Sequence, residues 1–359
     1  YVLSEKIMHL PEQKTHIDLV FSNLDFYQSI SDYIASCQSD SGSIPSLKAG
    51  MLDPWDHIES IMGLTTLGNI EAAKDGFNWL IKSQNEDGSW YSEFINDVPT
   101  KLNKQTHFSS YISVGLLHYF LITRDLEFIT SIWPSVIKGV DFSIKLQNAK
   151  GTIPWCINEE GLPGDDYLIT GSSSILKSLE CAITLFEIIN DPDTTKLESW
   201  KVAYKSLRVA LRNPDGLFDH KIDRKRFSMD WYYPVLCGAF ELNSSKEIIH
   251  KTISEFYVEG LGIKCVKEEP WVTVAETNEF VIAAMKAEET DLAIKIFGEA
   301  LNITDSSNIP YMGWQYVENI YWPDEKPSWT AGAVILAADA IFKFTDGANL
   351  FVDQQTRNL

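Results

Sequence analysis

The chain predicts an all-α fold, a single (α/α)6 toroid of six helical hairpins with its long loops at one end. Three observations carry this. A glycine turn recurs, as Gln38-Ser-Asp-Ser-Gly42-Ser-Ile44, Gln84-Asn-Glu-Asp-Gly88-Ser-Trp90 and Gln147-Asn-Ala-Lys-Gly151-Thr-Ile153, with looser copies at Arg212 to Phe218 and Val258 to Ile263. Apolar residues recur at helical spacing, with few alternating β-branched runs. Links between the predicted helices alternate between short and long. Repetition on this scale builds a fold by stacking one helical unit.

In order, the periodicity places helices at about 17–37, 54–68, 70–84, 106–122, 125–147, 169–190, 193–212, 230–241, 245–257, 274–287, 289–301 and 328–345. Links out of the even-numbered helices are short, as at Gly68-Asn69 or Thr123-Arg124. Links out of the odd-numbered ones carry the glycine turns and run to roughly 15–25 residues, beyond the ordinary range. In a ring of hairpins every long loop then lies at one end. Residues 1–16 read as an N-terminal extension and 346–359 as a C-terminal tail on one domain spanning 1–359.

Composition narrows the function. A chain of 359 residues with 45% hydrophobic content can bury a large core. Its formal charge of −20 repels nucleic acid and anionic membrane surfaces. No apolar run approaches the roughly 20 residues of a membrane helix, and no basic-then-apolar leader opens the sequence, so no membrane insertion is expected. Five scattered cysteines fit reduced thiols and a cytoplasmic setting. One basic stretch, His220 to Arg226, stands out; Arg224 and Arg226 are candidates for clamping an anionic substrate group.

The loop end also receives the N-termini of the even-numbered helices, which would form the inner ring and direct partial positive charge into the cavity. Loops on a rigid scaffold are where sites are usually built. The first turns are rich in carboxylates and aromatics: Trp55, Asp56 and Glu59 on the second helix; His107 and Tyr111 on the fourth; Asp166 and Tyr167 before the sixth. Asp230, Trp231 and Tyr232 open the eighth, Trp271, Glu276 and Glu279 the tenth, and Glu325 and Trp329 the twelfth. Asp53, ahead of Pro54, reads as a cap. Asp56 and Glu59 share a helix face, as do Glu276 and Glu279, and carboxylates facing a cavity are costly unless paired, metal-bound or used in proton transfer.

The stretch from Ala72 through Gly76, Phe77, Trp79, Gln84 and Gly88 to Trp90 resembles the QW repeat of squalene cyclases and prenyltransferase-like toroids. That resemblance implies an α/α toroid. The catalytic motifs of those families transfer poorly: Gly164-Asp165-Asp166 lacks the first aspartate of the cyclase acid motif. Asp230 and Cys237 have no histidine partner for a prenyltransferase zinc set, so neither metal nor cofactor is implied. In layout the chain is also similar to the six-hairpin inverting glycosidases.

The expected function is therefore a carbohydrate-active enzyme, an inverting glycoside hydrolase working on a small-molecule or glycan substrate in the toroid cavity. Glu276 is expected as general acid and Asp56 as general base, with Asp166 and Asp230 on sugar hydroxyls; Asp166 with Glu325 is the competing pair. An isoprenoid cyclase or prenyltransferase-like enzyme, with aromatics stabilising carbocations, is the alternative. A non-catalytic toroid binding glycan or peptide is the third reading.

Overall fold

A computed structural model describes residues 20–355. The thirteen α-helices are α1 (Gln28–Cys37), α2 (Pro54–Thr66), α3 (Ile70–Ser83), α4 (Thr106–Ser110), α5 (Ile112–Thr123), α6 (Leu126–Ile144), α7 (Ile169–Ile189), α8 (Thr194–Arg212), α9 (Met229–Leu236), α10 (Leu242–Phe256), α11 (Val274–Lys286), α12 (Thr290–Ala300) and α13 (Ser328–Phe342). Helices α2, α5, α7, α9, α11 and α13 pack in that order, and α13 returns to α2, closing an inner ring. Helices α1, α3, α6, α8, α10 and α12 lie outside. The even-numbered predicted helices are thus the inner ones.

Burial explains this sorting. Helix α13 is buried along almost its whole length, from Ser328 to Ala340, and the first two turns of α5 likewise. A helix apolar on every side belongs inside a core. Helix α3 buries only Ala73, Gly76, Phe77, Trp79 and Leu80 and turns its charged face outward.

Three predicted elements change. The first predicted helix opens as a 3-10 turn (Leu24–Tyr27) before α1; its residues 17–19, the extension 1–16 and residues 356–359 of the tail lie outside the described residues. The fourth is interrupted at Tyr111, dividing α4 from α5. The eighth stops at Leu236 rather than about 241, because Gly238 takes φ +84° and turns the chain.

Four small antiparallel sheets grow from the long links, all at the loop end. β1 (Met51–Leu52), β2 (Glu93–Ile95) and β3 (Val98–Lys101) form one; β4 (Lys104–Gln105) pairs with β5 (Cys156–Ile157), and β6 (Tyr257–Val258) with β7 (Gly262–Ile263). β8 (Trp271–Thr273), β9 (Gly313–Gln315) and β10 (Ile320–Tyr321) form the last, with β9 central. Strand β1 leads into α2 and β8 directly into α11. No helix among the described residues is long and apolar enough to cross a membrane.

The repeated turns have one mechanical role. Gln38 Nε2 donates to Gly42 O and to Ala72 O of α3; Gln84 Nε2 donates to Gly88 O and Ser135 O of α6; Gln147 Nε2 donates to Gly151 O and Ala203 O of α8. Each turn therefore fastens the end of one outer helix to the next. Gly88, at φ +92°, shows why glycine is needed: a Cβ there would lie 2.2 Å from Lys138 O. The spelling that resembles a QW repeat is a fastening of the outer ring, remote from the lumen.

Candidate active site

Asp53 ends the approach from β1 and caps α2, its carboxylate accepting the Asp56 N–H at 2.9 Å, with Pro54 in the first turn. The cap fixes where α2 begins and hence where Asp56 points. His57 anchors the same turn: its Nδ1 accepts the Ile44 N–H at 3.1 Å and its Nε2 lies 3.0 Å from Gly76 O. This pairing requires the neutral ring with its proton on Nε2, and burial lowers its pKa to about 4. Glu59 follows one turn below Asp56.

Helix α11 is set in a matching way. Thr277 Oγ1 donates to Thr273 O at 2.5 Å and accepts the Ile263 N–H at 2.9 Å, tying the helix start to β7. Glu276 and Glu279 then face the lumen on successive turns. The two helices flank α13 in the ring, so their carboxylates approach across the lumen.

The lower pair carries hydrogen bonds: the Tyr232 hydroxyl donates to Glu279 Oε2 at 2.7 Å and the Tyr111 hydroxyl to Glu59 Oε1 at 3.4 Å. In the upper pair Glu276 Oε2 is buried with no hydrogen-bond partner. The Cys265 thiol lies against Glu276, and burial together with that neighbouring charge pushes its pKa up. Trp55 forms a wall, its ring centroid 5.2 Å from His107, 5.6 Å from Tyr111 and 5.7 Å from Tyr233, all edge-on. His107 is buried and neutral, its pKa lowered to about 3.

Among the described residues no cation pairs with these carboxylates, and their acidity responds. Burial, then the charges of Asp53 and Glu59, raises Asp56 well above the usual carboxylate range. Burial raises Asp53 and, with the charge of Asp53, lifts Glu59 to about 8. Burial and the charges of Glu59 and Glu276 raise Glu279 in the same direction. The N-terminal dipole of α2 favours ionised Asp56, but it is worth at most about 2 kcal/mol and loses to desolvation. The protonated form is thus favoured at Asp53, Asp56, Glu59 and Glu279.

The structure brings together Trp55, Asp56, Glu59, His107, Tyr111, Tyr232, Glu276 and Glu279. Others stand apart. Asp166, expected on a sugar hydroxyl, accepts the backbone N–H groups of Tyr167 and His220, both at 2.9 Å, and joins two loops. Asp230 faces the outside of the ring, gripped by Arg224 through bonds of 2.9 and 3.1 Å. It lines a cavity of about 570 Å3 with Trp231, Asp219 and Leu211, on the outer side of α9. Trp231 donates to Lys225 O, and Tyr167 borders a separate outer cleft with His220.

Trp271 donates to Trp322 O on the β8–β10 sheet, Glu325 is exposed, and Trp329 is half-buried at the start of α13. The basic stretch meets internal anions: Lys221 pairs with Asp165, Arg224 with Asp230 and Arg226 with Glu268. Three cations of the stretch are thus each paired with a carboxylate.

Sequence reasoning passed over Asp53 as a cap, although its spacing from Asp56 matches that of Asp56 from Glu59. Tyr233 and Cys265 carried no comparable signal. Among the described residues no group of His, Cys, Asp and Glu is placed to hold a metal ion.

Comparison with known proteins decides the family. No family model matches the sequence. The chain is 36% identical over 318 residues to an MMP endo-(1,4)-3-O-methyl-α-D-mannosidase from Mycolicibacterium hassiacum, covering 89% of this chain and 86% of that protein. The chain belongs to this family of glycoside hydrolases. Solved structures agree on the fold. A glycosidase superposes with a TM-score of 0.68 at 11% identity, covering 92% of this chain and 100% of the other. A family-63 mannosylglycerate hydrolase from Thermus thermophilus gives 0.66 at 10% identity, over 86% of this chain and 99% of that one. The likeness found is thus to six-hairpin glycosidases, and the isoprenoid expectation gains nothing from it.

Proposed function

We propose that the protein is an endo-acting α-mannosidase that hydrolyses (1,4)-linked, 3-O-methylated mannose chains with inversion, using Asp56 and Glu276. The supporting observation is a cation-free cluster of buried acids, in which Asp56 feels Glu59 and Glu279 and Glu59 feels Glu276, in an aromatic lumen of a chain related to an endo-mannosidase.

Asp56 is the general acid. Burial and the neighbouring charge of Asp53 raise its pKa and favour the protonated form, which can pass a proton to the glycosidic oxygen as that bond breaks. Glu276 is the general base, its unpartnered oxygen free to accept a proton from water attacking the anomeric carbon. Sequence alone suggested the opposite roles; the burial of Asp56 beside Asp53 favours the exchange. After one turnover Asp56 is ionised and Glu276 protonated, and solvent resets both. Placement on helices separated by α13 suits the roughly 6.5–9.5 Å that inversion needs between the carboxyl groups. Trp55 would offer its face to the apolar side of the ring and to a methyl ether.

Proton NMR of products formed in the first minutes from a 3-O-methylated α-(1,4)-mannan tests this reading. A β-configured new reducing end is expected. An α-configured end would reject inversion, and an intact polymer would reject the substrate.

A further inference from the structure

The sequence presents 346–359 as a tail, yet its described part packs against the inner helices. A 3-10 turn (Asp346–Asn349) packs on α5 and α13, and residues 350–355 then reach the C-terminal end of α11 and the side of α7. Lys286 of α11 donates to Phe351 O at 2.8 Å and lies 3.4 Å from Val352 O, and Glu180 Oε1 of α7 accepts the Gln355 N–H at 2.5 Å. Glu180 is itself 3.3 Å from Lys177, and both side chains are almost wholly buried. Charged groups sequestered so deeply are rarely placed for stability alone, since a buried ion pair offers little over apolar packing. Here Lys286 and Glu180 hold the backbone of one segment, and Lys177 lies 5.7 Å from the centre of its Phe351 ring.

Phe351 is what that segment presents to the lumen. It is 7% exposed and borders a void of about 10 Å3 together with Glu59, Tyr111, Tyr233 and Glu279. The void is about the size that holds one water. We propose that segment 346–355 is the stopper of the barrel and that Phe351 is a positioning residue of the glycoside-cleaving site. It walls the Glu59–Tyr111 and Glu279–Tyr232 pairs off from solvent at the far end, and so fixes the floor beneath Asp56 and Glu276. The catalytic part rests on the function proposed above; the sealing part does not.

Phe351→Ala, with Phe351→Leu as the conservative variant, separates the possibilities. Admitting water lowers the desolvation that keeps Glu59 and Glu279 protonated, so they ionise at lower pH. The infrared carbonyl band of protonated carboxyls, assigned by its loss in Glu59→Gln, should titrate about one pH unit lower in Phe351→Ala and return in Phe351→Leu. This readout needs no substrate. On the mannan, Phe351→Ala should lower kcat about tenfold with KM within about twofold, and Phe351→Leu should restore it.

A carboxyl titration in Phe351→Ala identical to that of the parent protein overturns the seal, whatever the substrate proves to be. A shifted titration with unchanged kcat overturns the positioning role. If Phe351→Ala does not fold, Lys286→Met, which releases the two carbonyls, is read by the same infrared titration with the same expectation. Should the parent protein cleave no mannan, the function fails while the infrared result still decides the seal.

Discussion

Two sectors of the inner ring begin alike and end differently. At α2 and α11, and again at the α7 and α9 positions, carboxylates stand at or beside helix starts near the loop end. In the first sector Asp56 and Glu276 meet other acids and aromatics. In the second, Asp166 holds backbone N–H groups and Asp230 holds Arg224. A first-turn carboxylate is available for proton transfer only where the surrounding chain withholds cations and donors. Position on the helix does not decide that; the neighbours do.

The largest effects should fall in the first sector. Asp56→Asn and Glu276→Gln should each lower kcat by about 10²–10⁴-fold, the usual scale of general acid–base catalysis, with melting temperatures held or raised. Steady-state kinetics beside thermal denaturation checks both. Asp230→Asn should do the reverse: kcat within about threefold, and stability down by about 2–3 kcal/mol. That is somewhat below the roughly 3–5 kcal/mol of a fully buried pair, because Arg224 is partly exposed. A catalytic collapse in Asp230→Asn would erase the distinction between the sectors.

A pH series sharpens it. Glu59 has its pKa raised from 4.5 to about 8, chiefly by burial. The folded state therefore binds its proton more tightly than the unfolded chain, and the stability this confers, complete below about 4.5, is lost as pH rises to about 8. For Asp230, raised from 3.8 to about 6 by burial against the opposing pull of Arg224, the same loss is over by about 6. Melting temperature should thus become less pH-dependent between 6 and 8 in Glu59→Gln, while Asp230→Asn should leave that interval unchanged. Equal flattening in both would show that the two acids share one environment.

The smallest effect belongs to the basic loop. Arg226 pairs with Glu268 and both are well exposed, so Arg226→Ala should change stability by less than about 1 kcal/mol. KM for a neutral glycan should be unaffected at low and at high salt. A salt-dependent rise in KM would instead restore the loop as an anion clamp.

The ring was legible because its logic is local and repeated: Gln38, Gln84 and Gln147 each recur four residues before a glycine, and each fastens one outer helix to the next. The α2–α11 carboxylates were legible from their spacing. Asp230 was not, since nothing in its helix start shows that α9 turns it outward toward Arg224. Phe351 was hidden for a different reason. It reaches the lumen from a segment without helical period, held by Lys286 and Glu180, which are 65 and 171 residues away in the chain. Partners at such separations leave no pattern in a single sequence.

The stopper also governs traffic. With Phe351 and the glutamate–tyrosine pairs filling the far end as proposed, the ring would be a cup with one mouth, through which no polymer could be threaded. Both fragments of a cut mannan would then leave by the side they entered. Sizing the products of a partial digest should then show many chains shortened together rather than one consumed end to end.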